Sequence, residues 1–291
     1  MLNVYEQVRS NKTRSAVIIA FFIAFIISAT VLITYSFDLD PSIIVFAAFF
    51  SIISSVVSYE YGDKIVLSLN NAHPADREKY FNFYTVTENL AIGTGIPKPK
   101  IYVIESESPN AFATGKNPEH AIICATTGLL NKLDRTELES VIAHELSHIQ
   151  NYDTRIMMIV SILIGTLSIL INLVSRNRFG KSSDRKNNGV LILVGLFLLI
   201  FAPLIGQIIK LAISRRREYF ADASAVKLTR QPQGLISALK KISSDPSILA
   251  TASTATESLY IVNPFKNNRI ANLFSTHPPM TDRIKALEAM M

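Results

Sequence analysis

The sequence has one cysteine, almost no charge inside its longest apolar runs and no basic stripe interleaved with aromatic residues. A single thiol, Cys124, cannot form an internal disulfide, which fits a reducing compartment, and its apolar neighbours predict a small buried side chain rather than a nucleophile. Without a basic stripe, nucleic acid is not an expected partner despite the net charge of +6. A channel or transporter is not expected either, because the apolar runs hold only Lys210 and lack the buried acids that mark ion paths.

Four long apolar runs predict an integral membrane protein. Hydrophobic residues make up 49% of the 291 positions and are grouped together. A helix of about 20 such residues spans roughly 30 Å of hydrocarbon. A signal peptide does not account for the first run, because a second run follows at once and no small-residue cleavage site precedes a soluble chain. The runs cover residues 15–37, 43–59, 156–174 and 189–213.

Charges beside the first run predict the orientation of the protein. Arg9, Lys12 and Arg14 precede it, whereas the following turn carries only Asp38 and Asp40. The positive-inside rule therefore places the N-terminus in the cytoplasm and this turn outside. The second run returns the chain to the cytoplasm, so residues 60–155 should be cytoplasmic.

The linker between the third and fourth runs leaves their topology open. Residues 175–188 carry five Lys or Arg against one Asp, a bias that would keep the linker in the cytoplasm. Either the two runs cross as a hairpin in spite of this bias, or they pack against the non-membrane part of the chain as buried or re-entrant helices. We favour the crossing hairpin, because both runs are long enough. The predicted units are then 1–59, 60–155, 156–213 and 214–291.

The segment before the third run predicts an α+β fold that is mainly α. We expect helices over 73–90 and 133–150, the second opened by a capping box between Asp134 and Glu137. Three short apolar strings between these helices predict strands of a small sheet, because Pro, Gly, Asn and Ser bound them. The strings cover residues 100–104, 110–115 and 120–125.

The second of these helices carries the pattern H-E-x-x-H at residues 144–148. Residues four apart share one helical face, so the two imidazoles converge on one point. This predicts a Zn²⁺ site with His144 and His148 as ligands and Glu145 as general base. The alternative is a histidine pair packed on an amphipathic helix.

A catalytic zinc site needs a third protein ligand. A third His at the metzincin spacing is missing, because Asn151 and Thr154 occupy those positions. Glu218 is the best distant candidate, and Asp222, four residues later on the same helical face, could accept the outer N–H of a ligand histidine. On these residues alone, interfacial anchoring of an Arg and Glu cluster explains this region equally well.

Five motifs of the sequence belong together. They are HELSHIQNYD at 144–153, SRRREYFADA at 214–223, THPP at 276–279, PNAFATG at 109–115 and TTGLL at 126–130. Together they resemble the HtpX-type membrane zinc metalloproteases, a group related to the Ste24 and Oma1 proteases. The resemblance covers almost the whole chain and implies a gluzincin-like domain with about four hydrophobic helices. It implies His144, His148 and Glu218 as zinc ligands, Glu145 as base, and His277 and Arg283 as groups that stabilise the transition state.

The resemblance also implies a function. It predicts a protease of the cell membrane that cuts membrane proteins at the cytoplasmic face, in quality control or stress response. An edge strand would pair with the substrate backbone, and it comprises Asn110, Ala111, Phe112, Ala113, Thr114 and Gly115. The competing hypothesis is a catalytically silent membrane scaffold with a structural zinc site.

Overall fold

The computed structural model of the protein describes residues 4–36, 40–176, 215–247, 249, 256, 259–262 and 278–291. Over these residues the protein is mainly helical, with one small mixed sheet. The helices are α1 (Val4–Ser36), α2 (Ser42–Leu69), α3 (Phe81–Thr94), α4 (Thr127–Lys132), α5 (Arg135–Gln150), α6 (Asp153–Arg176), α7 (Arg215–Thr229), α8 (Pro232–Ser244) and α9 (Met280–Glu288). The strands are β1 (His73–Pro74), β2 (Lys100–Ile104), β3 (Ala111–Thr114) and β4 (Ile122–Thr126).

Helices α1 and α2 contain two stretches that are long and apolar enough to cross a membrane, Val8–Leu32 and Ser42–Leu69. Helix α2 has small residues at its contacts with α1 and α6, and large apolar residues on its outer face. Such a distribution is the one that lipid favours, because small side chains let helices approach closely while apolar ones meet the hydrocarbon. The buried positions include Ser51, Ser55, Ser58 and Gly62, and the exposed apolar ones include Phe46, Phe49, Ile53 and Val56.

The third and fourth apolar runs are described only in part. Residues 156–163 of α6 are all buried within the protein, against α1, α2 and β3. The run 189–213 and most of its basic linker lie outside the described residues. The expectation of about four hydrophobic helices, and the choice between a crossing hairpin and packed helices, therefore stay predictions, as do the four predicted units.

The helix expected over residues 73–90 is wrong in its bounds. His73 and Pro74 instead form β1, which pairs antiparallel with Val103 and Tyr102 of β2. Asp76 then accepts the backbone N–H groups of Glu78 and Lys79 and closes a turn, as Asp side chains commonly do. Helix α3 begins only at Phe81 and continues to Thr94, where Gly95 ends it in a left-handed conformation (φ 71°).

The three strands expected before the metal helix are confirmed, with the fourth strand β1 added. The order in the sheet is β1-β2-β4-β3, in which β2 and β4 are parallel and the other pairs antiparallel. Both faces of the sheet are covered. Ala113 and Ile123 belong to the core shared with α3, α5 and α8, whereas Phe112 and Cys124 pack with α1 and α6 on the opposite face. The sheet thus lies between α3, α5 and α8 on one face and α1 and α6 on the other.

Candidate metal centre

Helix α5 is anchored at its first turn. The predicted capping box is present: Asp134 accepts from Glu137 N, and the Glu137 carboxylate accepts from Asp134 N. Glu137 also accepts hydrogen bonds from Ser237 and Lys241 of α8, which holds this helix end in the core. From this anchor three turns of helix bring the H-E-x-x-H face under α7.

The structure brings His144, His148 and Glu218 together. The two Nε2 atoms are 3.2 Å apart. Glu218 Oε2 lies 3.7 Å from His144 Nε2, and Glu218 Oε1 lies 3.5 Å from His148 Nε2. All three side chains are buried, and among the described residues they form a group of donors able to hold a metal ion.

These distances fit a zinc ion. In a tetrahedral site with zinc bonds of about 2.0–2.1 Å, neighbouring donor atoms are about 3.3–3.4 Å apart. The distance of 3.2 Å between the two Nε2 atoms lies close to that value. The two oxygens of Glu218 each face one imidazole, at 3.7 and 3.5 Å, and one donor atom from each of the three residues lies within 4.8 Å of the others. Two imidazoles and one carboxylate are also the donor set of known catalytic zinc sites, which leave the fourth position for water or substrate.

A carboxylate lies behind each histidine. Asp222 Oδ1 is 2.9 Å from His144 Nδ1, and Asp153 Oδ2 is 3.1 Å from His148 Nδ1. Such partners fix the tautomer, so that both Nε2 atoms present lone pairs to the same point. Burial alone would raise the pKa of Asp222, but the neighbouring Arg283 guanidinium holds it well below its usual value. Asp222 therefore stays a carboxylate.

Glu145 faces the same cavity as the three donors and is also buried. Burial raises the pKa of its carboxyl group, an effect that the charges of His144 and His148 partly offset. A general base works best when its pKa lies near the working pH. A raised pKa therefore suits Glu145 for accepting a proton and releasing it again.

The strand β3 forms one edge of the sheet, and Ala113 lines the cavity beside Glu145. Part of this edge is already paired within the chain. The Ala111 carbonyl accepts a hydrogen bond of 3.0 Å from Ile261 N, and the Asn110 side chain donates to the Val262 carbonyl at 2.8 Å. Residues 259–262, here called the edge segment, thus pair with the chain at the start of β3.

The structure describes the other expected site residues except one. Phe112 is buried against Tyr260, Thr114 is buried, and the Gly115 carbonyl accepts from Thr154 Oγ1. Arg283 lies behind Asp222, bound to it and to the Ile261 carbonyl. His277 lies outside the described residues.

Sequence reasoning did not assign Asp153 or the edge segment. Asp153 could have been found by asking which carboxylate serves the second histidine, as Asp222 serves the first. The edge segment carries no motif, and its position depends on how distant parts of the chain pack.

Comparison with known proteins gives concordant results. Residues 82–291 match peptidase family M48. A protease HtpX homolog of Dictyoglomus turgidum is 41% identical over 289 residues, covering 98% of this chain and 94% of the relative. Protease HtpX homologs of Ligilactobacillus salivarius and Listeria monocytogenes are each 39% identical, with 99% of this chain and 100% of each relative covered. The crystal structure of S. mikatae Ste24p shares the fold with a TM-score of 0.52 and 22% identity; the similarity covers 94% of this chain but only 62% of that one.

Proposed function

The chain belongs to peptidase family M48 and is a membrane metalloprotease, and on this basis we propose that it is a zinc-dependent endopeptidase. The observation that carries the proposal is the convergence of His144, His148 and Glu218 beside the buried carboxylate of Glu145. A structural zinc site would not require a carboxylate at this position, so Glu145 argues against a silent scaffold.

The residues divide the reaction between them. His144, His148 and Glu218 would hold the zinc ion, which would supply Lewis-acid catalysis at the scissile carbonyl and lower the pKa of water. Glu145 takes the proton of the attacking water and passes it to the leaving amine. Asp222 and Asp153 keep the imidazoles in place during both transfers. His277 is the proposed donor to the oxyanion. Arg283, whose Nε and Nη2 bind Asp222 and whose Nη1 approaches Glu218, is proposed to stabilise the transition state through these two carboxylates.

The proposed substrates are polypeptides, membrane proteins among them, bound in extended form along β3. Main-chain pairing to a strand edge requires little of the substrate side chains, which suits an enzyme of broad specificity. The described part of the edge supports this proposal, because Ala113 lies beside both Glu145 and the ligands. Residues 110–115 are thus proposed as the strand that positions the scissile bond.

We place the catalytic domain at the cytoplasmic face of the cell membrane, in membrane-protein quality control or stress response. The basic residues before the first apolar run support this orientation. Labelling engineered cysteines near Arg9 and near Asp40 with an impermeant reagent in intact cells tests it. Protection near Arg9 with labelling near Asp40 is expected, and the opposite pattern would refute the orientation.

Glu145→Gln tests the catalytic proposal. It should bind zinc with near wild-type affinity and cleave a membrane-protein substrate at least about 100-fold more slowly, since general base catalysis contributes about that much or more. Glu139→Gln, the same change on the same helix but away from the cavity, is the control and should cleave normally. Retained cleavage in Glu145→Gln would refute the mechanism, and wild-type protein that binds zinc but cleaves no polypeptide would favour the scaffold.

A further inference from the structure

A side chain of the first membrane helix binds the carboxylate that lies behind one histidine of the metal centre. Asn11 of α1 is buried, with 4% of its surface exposed. Its Nδ2 donates one hydrogen bond of 2.8 Å to Asp153 Oδ1 and another of 2.8 Å to the Asn151 carbonyl. Both protons of the amide are therefore used, and both are donated to the connection between α5 and α6.

This connection lies directly behind a metal ligand. Asn151 is the residue that ends α5, and Asp153 begins α6. The intervening Tyr152 has a left-handed backbone (φ 62°), and Lys12 Nζ lies 4.6 Å from the centre of its ring. Asn11 and Lys12 of α1 thus contact consecutive residues of a tight turn. Replacing Asn11 by an apolar residue would remove the hydrogen bonds that hold the part of the turn with Asp153.

The two carboxylates behind the histidines are held in different ways. Asp222, behind His144, accepts hydrogen bonds from Nε and Nη2 of Arg283 within the catalytic domain. Asp153, behind His148, uses Oδ2 for the histidine, while its Oδ1 accepts from Asn11 and from Arg217 Nη1 at 3.0 Å. One of these two donors comes from a membrane helix and the other from α7, which also carries Glu218.

We propose that Asn11 is a positioning residue of the metal centre, which holds the Asp153 carboxylate so that His148 keeps its Nε2 directed at the metal. Partners of metal-ligating histidines commonly change metal affinity by about 10–100-fold when they are removed. Asn11 links α1 to His148 through Asp153. The position of the membrane helix therefore affects the affinity of the catalytic domain for zinc. The proposal rests on the zinc site proposed above.

The test measures metal binding by the full-length protein in detergent micelles, with Zn²⁺ alone in competition with a chelator. Asn11→Leu keeps the size of the side chain and removes both donors. We expect its Zn²⁺ affinity to fall by about 10-fold or more, and the visible absorption of the Co²⁺-loaded protein to change because the His148 ligand is displaced. If the leucine variant does not fold, the same two quantities are measured on Asn11→Ala, which introduces no bulky side chain.

Ser15→Ala is the matched control. Ser15 is also buried on α1 and donates to the Asn11 carbonyl, but it does not touch Asp153. This control should keep both the Zn²⁺ affinity and the Co²⁺ spectrum of the wild type. Wild-type affinity and an unchanged Co²⁺ spectrum in a folded Asn11 variant would overturn the proposal.

A double variant separates positioning from general stability. If Asn11 acts through Asp153, the combination of Asn11→Leu with Asp153→Asn should bind Zn²⁺ no more weakly than Asp153→Asn alone. Additive losses of affinity would show that Asn11 acts independently of Asp153 and would overturn the proposal. These measurements of metal binding do not depend on cleavage, whereas the proposed function is tested by the cleavage rate of Glu145→Gln. Failure of this proposal can therefore be distinguished from failure of the proposed function.

Discussion

Arg283 holds Asp222 through two hydrogen bonds, from Nε at 2.8 Å and from Nη2 at 2.6 Å, in a part of the protein where both side chains are fully buried. A third contact, of 3.5 Å, joins Arg283 Nη1 to Glu218 Oε2. One guanidinium therefore neutralises the carboxylate behind His144 and approaches the carboxylate ligand itself. The charge of the site is balanced from the last helix of the chain.

Arg283→Leu should destabilise the protein by roughly 3–5 kcal/mol, because it leaves the buried Asp222 carboxylate without its partner. Thermal unfolding in micelles, followed by circular dichroism, measures this loss. Arg77→Leu, at an exposed position, is the control and should change stability little. An Arg283 variant with wild-type stability and zinc affinity but slow turnover would instead assign Arg283 to the oxyanion.

Zinc uptake should release a proton from His148. Burial alone would lower the pKa of this imidazole, but its hydrogen bond to Asp153 and the charge of Glu218 raise it from 6.5 to about 9 in the metal-free protein. Zinc binds only the neutral ring. The apparent affinity of the protein for Zn²⁺ should therefore rise by about tenfold for each unit of increasing pH until the pH reaches that pKa. Calorimetry in buffers of different ionisation enthalpy measures the released proton.

The same pKa predicts how the metal-free protein responds to pH. Since the folded-state pKa of His148 is raised, its contribution to stability is complete below pH 6.5 and is lost as the pH rises through about 9. Asp153→Asn removes the negative charge beside the imidazole and should shift both pH dependences to lower values. Zinc affinity that does not change between pH 7 and 9 would contradict the assignment.

Loosening the edge segment should speed cleavage of an extended peptide. A peptide that pairs along the whole of β3 has to displace Ile261 from Ala111. Tyr260 of the edge segment donates a hydrogen bond of 2.7 Å to Asn70. Tyr260→Phe removes this bond, which contributes about 1 kcal/mol to holding the segment in place, so kcat/KM should rise by up to about fivefold. Tyr84→Phe, which removes a similar bond to the Ala75 carbonyl, is the control. Lower kcat/KM in Tyr260→Phe would show that this hydroxyl helps to bind substrate.

Two glycine substitutions should have opposite effects on stability. Gly93 lies inside α3, where among the described residues a new Cβ would meet only Leu228 Cδ1 at 3.6 Å, so Gly93→Ala should stabilise by about 0.5–1 kcal/mol. At Gly128 an added Cβ would overlap the backbone oxygen of Glu107, so Gly128→Ala should destabilise by roughly 1–3 kcal/mol. Denaturant titrations of both variants check the signs, and a shift in the same direction would contradict the packing at one of the two positions.

Local features of the fold were predictable. The Asp134 and Glu137 capping box and the His144, Glu145 and His148 face depend on residues within a few helical turns of each other. The helix over residues 73–90 was predicted to begin too early, because the pairing of His73 with Val103 on another strand determines where α3 begins. Pairing of this kind has no local signature.

The sequence alone determined the helix that presents two imidazoles and a carboxylate, and the apolar stretches of α1 and α2, because helical periodicity and hydrophobic length are short-range properties. Tertiary structure decided which carboxylate lies behind His144, that Arg283 holds Asp222, and that Asn11 binds Asp153. It also decided that Ile261 pairs with the edge strand. These partners are far apart in the chain, and only the packing of α1, α6, α7 and α9 around the sheet and α5 brings their donors within hydrogen-bonding distance of their acceptors.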